Sequence, residues 1–333
     1  MVDATPDYLQ YLYEKQRNVP GYRALIDRNL SIFGTLDDHD YGRNNGDRTF
    51  PWRRESGIEF IKFLGLSNDS AMARRAFEGK GVYGVQVYDF GQSDSKLRIL
   101  TDTEAGLDPD VIPFDDYDRQ NNPPIEDNNK NRLVAIFVLD IRSNRTPWPK
   151  TIRERFSQNA QGDFLGEEQF EWFETAIGRS RAAVNIVVTG LQVHAERFYD
   201  GSVVENWNGF PGSQHRLYQA LLQPNVQSPI LMTGDVHHAQ LLRKDCRHPI
   251  KNSVRPLYEI TTSGMTHAWG ATQSSTCARS NISPFCRAYY YNKLYGLSIH
   301  LAHWLSPWNE LIIDETTNQL QYSLNLNIAE LEF

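Results

Sequence analysis

Two short runs in this chain concentrate groups able to bind a cation or move a proton: Asp37-Asp38-His39-Asp40 and Asp235-Val236-His237-His238. In the first, carboxylates and an imidazole fill consecutive positions. Carboxylate oxygens suit hard cations and imidazole nitrogen suits borderline ones. Adjacent anions repel one another unless a cation offsets them. The plainer reading of this run is an exposed turn. In the second run, Asp-x-His spacing puts both side chains on one side of an extended backbone. Gly234 there allows a sharp turn or a close approach to a bound ion; the alternative is a purely structural His–Asp pair. A third run, Asp140-Ile141-Arg142-Ser143-Asn144-Arg145, carries two guanidinium groups able to fork onto phosphate oxygens. Arg142 equally suits a pairing with Asp140 or a helix cap. Other catalytic patterns are missing: the chain has no GxSxG elbow, HExxH helix, P-loop or GxGxxG.

The elements that would position these runs are legible from periodicity. Leu30–Leu36, Leu133–Leu139 and Pro229–Thr233 are apolar runs that read as strands, and each leads into one of the three polar runs. Val82–Phe90, Val184–Thr189 and Leu257–Thr262 read as further strands. Helical spacing covers Pro6–Arg17, Tyr22–Arg28, Ala71–Glu78, Gly166–Arg179 and Gly212–Gln223. It also covers Gly57–Leu66, with Ser56 as its candidate N-cap. Strands alternating with helices predict an α/β layered fold. In such sheets ligand sites form at the carboxyl ends of strands, where the three polar runs sit. Residues 101–128, with nine acidic residues against one basic, read as a solvated loop inserted at about 100–131. The tail at about 310–327 reads as a β-hairpin.

Composition narrows the function classes. The chain has 333 residues, 40% of them hydrophobic, and a net charge of −7, which suits one large domain over 1–333 with a substantial core. There is no basic stripe, hence no nucleic-acid-binding signature, and no apolar run long enough for a transmembrane segment. The start lacks a signal peptide, and localisation is left open. The three cysteines form no CxxC pair; Cys277 and Cys286 stand either as a disulfide or as two free thiols.

Taken in order, several blocks resemble the alkaline phosphatase D family, the PhoD-like metallophosphatases. Thr35-Leu36-Asp37-Asp38-His39-Asp40-Tyr41-Gly42-Arg43-Asn44 is similar to that family's Thr-Trp-Asp-Asp-His-Asp/Glu-Tyr-Gly-x-Asn. Leu139-Asp140-Ile141-Arg142 and Leu165-Gly166-Glu167-Glu168-Gln169 resemble its next blocks. Gly190-Leu191-Gln192-Val193, Glu205-Asn206-Trp207-Asn208-Gly209, Thr233-Gly234-Asp235-Val236-His237 and Glu259-Ile260-Thr261-Thr262-Ser263-Gly264-Met265-Thr266-His267 follow in family order.

The resemblance implies a metallophosphatase-like α/β fold, with two mixed β-sheets packed face to face and flanked by helices. It implies a metal-dependent phosphoesterase acting on phosphomonoesters or phosphodiesters, with phosphate-ester substrates. By carry-over, Asp38, Asp235 and His237 are metal ligands, and the catalytic set is His39, Asp40 and Arg142. Arg142, Asn44 and His267 face the substrate. The family suggests iron, calcium or both as the metals, with other divalent metals open, and its members are often secreted. It also opens with Gly-Ser-Cys and Gly-Asp-x-x-Tyr-x-Asp, which do not precede Asp37 here. The expectation is therefore an N-terminally truncated member lacking the family's first strands, with weak or no hydrolysis by the chain as it stands. The alternatives are an inactive metallophosphatase-like domain with a binding or scaffolding role, and a metal-dependent hydrolase of non-phosphate esters.

Overall fold

Thr5 starts the first helix. Its hydroxyl accepts from the Tyr8 amide, and Pro6 supplies a pre-set first turn, so Pro6–Arg17 forms α1. The computed structural model describes residues 3–91, 97–113, 132–147, 158–195, 205–247, 254–265, 268, 297, 313–314, 319–320, 322–323 and 327–332. The chain divides into two compact units: residues 1–190 with 195–230, and residues 191–194 with 231–333.

In the first unit, α1 is followed by α2 (Pro20–Asp27), α3 (Asp38–Tyr41), α4 (Arg53–Leu64) and α5 (Ala71–Glu78). Leu9 and Tyr13 of α1, Phe60 and Ile61 of α4, and Met72 and Ala76 of α5 form one cluster with Tyr41, Phe50 and Val138. Each fully enclosed large side chain contributes about 1.5–3 kcal/mol. Tyr41 and Phe50 therefore anchor the polar segment between them. The fourth helix begins a turn earlier than its sequence suggests. Ser56 donates its backbone N–H to the Trp52 carbonyl, so it sits inside the helix, buried, and is no cap.

The strands of this unit are β1 (Gly84–Asp89), β2 (Arg98–Leu100), β3 (Leu133–Leu139) and β4 (Val184–Thr189), in the order β2-β1-β3-β4. β1 is antiparallel to both neighbours, while β3 and β4 are parallel. A parallel pair needs a crossover, and α7 (Glu167–Gly178) lies within it. Its Phe173 meets Phe137 of β3 edge to face at 5.8 Å. Leu139 pairs with Thr189, so both strands end level, at Asp140 and Gly190. A 3-10 turn (Trp207–Gly209) and α8 (Pro211–Leu221) complete the unit.

β5 (Pro229–Thr233) carries the chain into the second unit, where it lies beside β7 (Val254–Thr262). β7 pairs antiparallel with β6 (Ala239–Arg247), and β10 (Tyr322–Ser323) adds to the other side of β6. β8 (Ile313–Asp314) and β9 (Gln319–Leu320) pair antiparallel within the expected hairpin. The fold is α/β, with parallel and antiparallel strands mixed and helices flanking them.

Two further expectations change. Leu30–Leu36 is not a strand; it forms no regular element and is mostly half-buried, with Thr35 donating to the Val82 carbonyl. The acidic stretch is not wholly solvated either. Thr101 caps a short helix, α6 (Asp102–Ala105), in a capping box. Buried Asp108 pairs with Arg75, whose guanidinium lies 4.8 and 4.9 Å from the ring centres of Tyr83 and Trp172. Residues 114–131, Cys277 and Cys286 lie outside the described residues. Among the described residues, no helix is long and apolar enough to cross a membrane.

Candidate functional site

The first polar run folds into α3. Asp37 is its N-cap in a reciprocal capping box with Asp40, and Gly42 ends it at φ 99°, a conformation suited to glycine. Tyr41 fixes the helix from below, fully buried, and the Tyr13 hydroxyl donates to the Asp40 carbonyl at 3.0 Å. With Tyr41 pointing into the core, the His39 side chain points out and is 66% exposed. Asp38 is buried. Its Oδ1 accepts the His39 amide at 2.7 Å and its Oδ2 accepts the Asn45 amide at 3.0 Å. Asp37 and Asp38 each bring a carboxylate oxygen within 4.8 Å of the other's. Each oxygen of Asp38 has one described donor, which leaves it a second lone pair. Paired hard oxygens of this kind fit a cation. Without one, burial and the neighbouring carboxylates Asp37 and Asp38 push the Asp40 carboxyl up to about 6.

The third run leads back to the first. Asp140, at the end of β3, is fully enclosed and saturated. Its Oδ1 accepts the amides of Arg142 and Ser143 at 2.8 and 2.9 Å; its Oδ2 accepts the Val82 amide and the Ser143 hydroxyl at 2.7 and 2.6 Å. The Gln169 amide of α7 bonds both the N–H and the C=O of Asp140, each at 2.8 Å. Asp140 thus shapes a turn and aims Arg142. The Arg142 guanidinium, itself fully buried, donates from Nε to Asp37 Oδ1 at 2.8 Å, and its Nη2 lies 2.6 Å from the same oxygen. Its Nη1 donates to Glu205 Oε2 at 2.6 Å, and Arg145 pairs with the other oxygen of Glu205. Burial pushes Glu205 up, but Arg145 and Arg142 outweigh it and hold the carboxyl below its ordinary value. For Asp37 burial prevails over Arg142, and the carboxyl lies above its ordinary value. The pairing of Arg142 with Asp140 considered from sequence is made by its backbone, while its side chain serves Asp37 and Glu205.

In the second unit, the run after β5 is a tight loop. Asp235 and His237 both have left-handed backbone, at φ 69° and 56°, which costs a non-glycine residue about 1–2 kcal/mol. The loop is braced. The His237 amide donates to Ser263 Oγ at 3.0 Å, and His238 Nδ1 bonds the Val236 carbonyl at 2.9 Å. Behind it lies a buried polar network. Glu259 accepts the amides of Val193 and His194 and the Thr233 hydroxyl, while Gln192 donates to Gln240 and Thr261. Burial pulls the His194 imidazole down to about 3.

Of the residues singled out from sequence, Asp38, His39, Asp40 and Arg142 gather around α3 in the first unit. Asn44 is exposed on the loop after it, with its amide on Asn45 Oδ1 at 3.2 Å. Asp235 and His237 share the second unit's loop, and His267 lies outside the described residues. Asp37 was singled out within its run without a role of its own, and Glu205 is the residue that sequence reasoning passed over. Glu205 stood in a quoted block with no role attached, and only its two arginine partners reveal one.

Comparison with known proteins bears on this arrangement. Residues 129–292 match the sequence model of the family described as PhoD-like phosphatase. This stretch resembles the PhoD-like phosphatases. The PhoD-like stretch takes in Arg142, Glu205, Asp235, His237 and His267; Asp37–Asp40 precedes it. Alkaline phosphatase D of Bacillus subtilis (strain 168) is 26% identical over 113 residues, 32% of this chain and 19% of that protein. A solved structure titled "Structure of PhoD" aligns with a TM-score of 0.46 at 17% identity, over 72% of this chain and 41% of that one. The chain thus spans less than half the length of either relative.

Proposed function

We propose that this chain is a metal-dependent phosphoesterase acting on phosphomonoesters or phosphodiesters. The observation that carries the reading is the side-by-side placement of Asp37 and Asp38 beneath an outward-facing His39, in a chain whose later half is PhoD-like. Asp38 in the first unit, and Asp235 and His237 in the second, are proposed as metal ligands; iron, calcium or another divalent ion suits carboxylate oxygen and imidazole nitrogen. A metal held there neutralises phosphoryl charge and lowers the pKa of a bound water.

The remaining roles belong to the chain's own side chains. His39, exposed and one residue from Asp38, is placed to hand a proton to the leaving oxygen. Asp40 accepts from the Asp37 amide at 3.4 Å and keeps the start of α3 closed. Asn44 and His267 are proposed to face the substrate. The strained backbone at Asp235 and His237 supports a ligand role, because such strain persists where surrounding structure over-determines it, often at functional sites.

The test is hydrolysis of p-nitrophenyl phosphate and its bis ester by the chain, with and without manganese or calcium. Metal-dependent turnover lost in His237→Ala supports the reading. Metal uptake without turnover of either ester supports a binding role instead. Cleavage of carboxylic esters alone would move the assignment to a different hydrolase class.

A further inference from the structure

We infer that Arg142 acts on the site through Asp37: it is a positioning residue that fixes one oxygen of that carboxylate, and it makes no contact with the phosphate. This rests on the metal-site reading above.

Three observations carry it. First, Arg142 is 0% exposed; its Nε and Nη1 donate to carboxylates of this chain, and its Nη2 lies 2.6 Å from the Asp37 oxygen that Nε already holds. A phosphate contact needs a guanidinium edge that opens onto the substrate. Second, Arg142 is itself clamped. Glu205 takes Arg142 on one oxygen and Arg145 on the other, and Arg145 is enclosed in turn, over the Phe164 ring. The chain of charge Arg145–Glu205–Arg142–Asp37 has fixed length, so it sets where Asp37 Oδ1 lies. Third, Asp37 is crowded. A Cβ at Gly190 would stand 2.8 Å from the same Oδ1, so the glycine backbone at the end of β4 lies close against that oxygen. Asp37 is the only member of this chain of charge with appreciable exposure, at 24% of its side chain. It is where the network meets the face that carries Asp38.

A residue that orients a ligand or its neighbour typically changes metal affinity by about 10–100-fold when altered. The experiment is calorimetric titration of the 333-residue chain with Mn²⁺ alone, then titration of the Mn²⁺-loaded chain with inorganic phosphate. The proteins are wild type, Arg142→Lys, Asp37→Asn and the double variant. Lysine keeps the charge but cannot reach two carboxylates in the planar geometry of arginine. Arg142→Lys should weaken Mn²⁺ binding about tenfold or more, with phosphate affinity of the loaded protein changed less than about threefold. The double variant should bind Mn²⁺ no more weakly than Asp37→Asn alone, because both changes cut one path.

Unchanged Mn²⁺ affinity in Arg142→Lys, or additive losses in the double variant, would overturn the inference and leave the metal reading standing. Weakened phosphate binding with intact Mn²⁺ binding would overturn it in favour of a direct phosphate contact. Absence of Mn²⁺ uptake by the wild type would overturn both. If Arg142→Lys does not fold, Glu205→Gln is read in the same titrations. It keeps the shape of the anchor and should weaken Mn²⁺ binding in the same direction; unchanged affinity there would again overturn the inference.

Discussion

Gly190 and Asp37 approach so closely that a single methyl group on the glycine would stand 2.8 Å from Asp37 Oδ1. Arg142 holds the same oxygen at 2.6–2.8 Å, so the carboxylate can yield only by giving up that pairing. Gly190→Ala should therefore lower unfolding free energy by about 1–3 kcal/mol, the usual range for overpacking. Urea unfolding measures it; a loss under about 0.5 kcal/mol, the level of a neutral surface change, would mean the carboxylate moves freely.

Glu205 balances two enclosed arginines. Glu205→Ala leaves both without their shared anion, and breaking a buried pair from one side costs about 3–5 kcal/mol. Chemical denaturation should show a loss of that order. The milder Glu205→Gln, which still accepts hydrogen bonds, should lose less than the alanine variant. Equal losses in both would show that side-chain volume, not charge, matters at this position.

Asp40 makes stability depend on pH. Its carboxyl is pushed up to about 6 in the fold, against an ordinary value of 3.8. Below 3.8 it is protonated in both states and contributes no difference. As pH rises through that value, the unfolded chain ionises first, and stability is lost until the folded group also ionises near 6. The expected loss is on the order of 1–3 kcal/mol. In metal-free protein, Asp40→Asn should remove this decline, so its unfolding midpoint should exceed the wild type's at pH 7 but not at pH 4. Parallel curves for the two proteins would refute the assignment.

His237 occupies left-handed backbone that glycine adopts without strain. His237→Gly in metal-free protein should raise stability by about 0.5–1 kcal/mol, after the greater entropy lost by glycine on folding. The same change should abolish Mn²⁺ uptake if the imidazole is a ligand. Differential scanning calorimetry with and without Mn²⁺ separates the effects. A variant that is destabilised yet still stabilised by Mn²⁺ would count against both claims.

Much of the scaffold was legible before any coordinates. Leu133–Leu139 and Val184–Thr189 are apolar throughout or nearly so, as strands enclosed on both faces must be, and both form where expected. α7 was equally plain from its apolar face. β6 was not. Its sequence, Ala239–Arg247, mixes Gln, Lys, Asp and two Arg with apolar residues, because one side of the strand is exposed over much of its length. Leu30–Leu36 erred in the opposite sense. An apolar run becomes a strand only where a neighbouring edge accepts its backbone, and edges are not written in the run itself.

The same division holds at the site. Residue chemistry alone identified Asp37–Asp40, Asp140–Arg145 and Asp235–His238 as the groups able to act, since charge type and local spacing are properties of the chain. Their partners were decided by tertiary structure. Arg142 meets Asp37 across 105 residues and Glu205 across 63. No local spacing encodes such pairings. They exist because β3 and β4 end level, Tyr41 seats α3 in the core, and burial turns these charges onto one another.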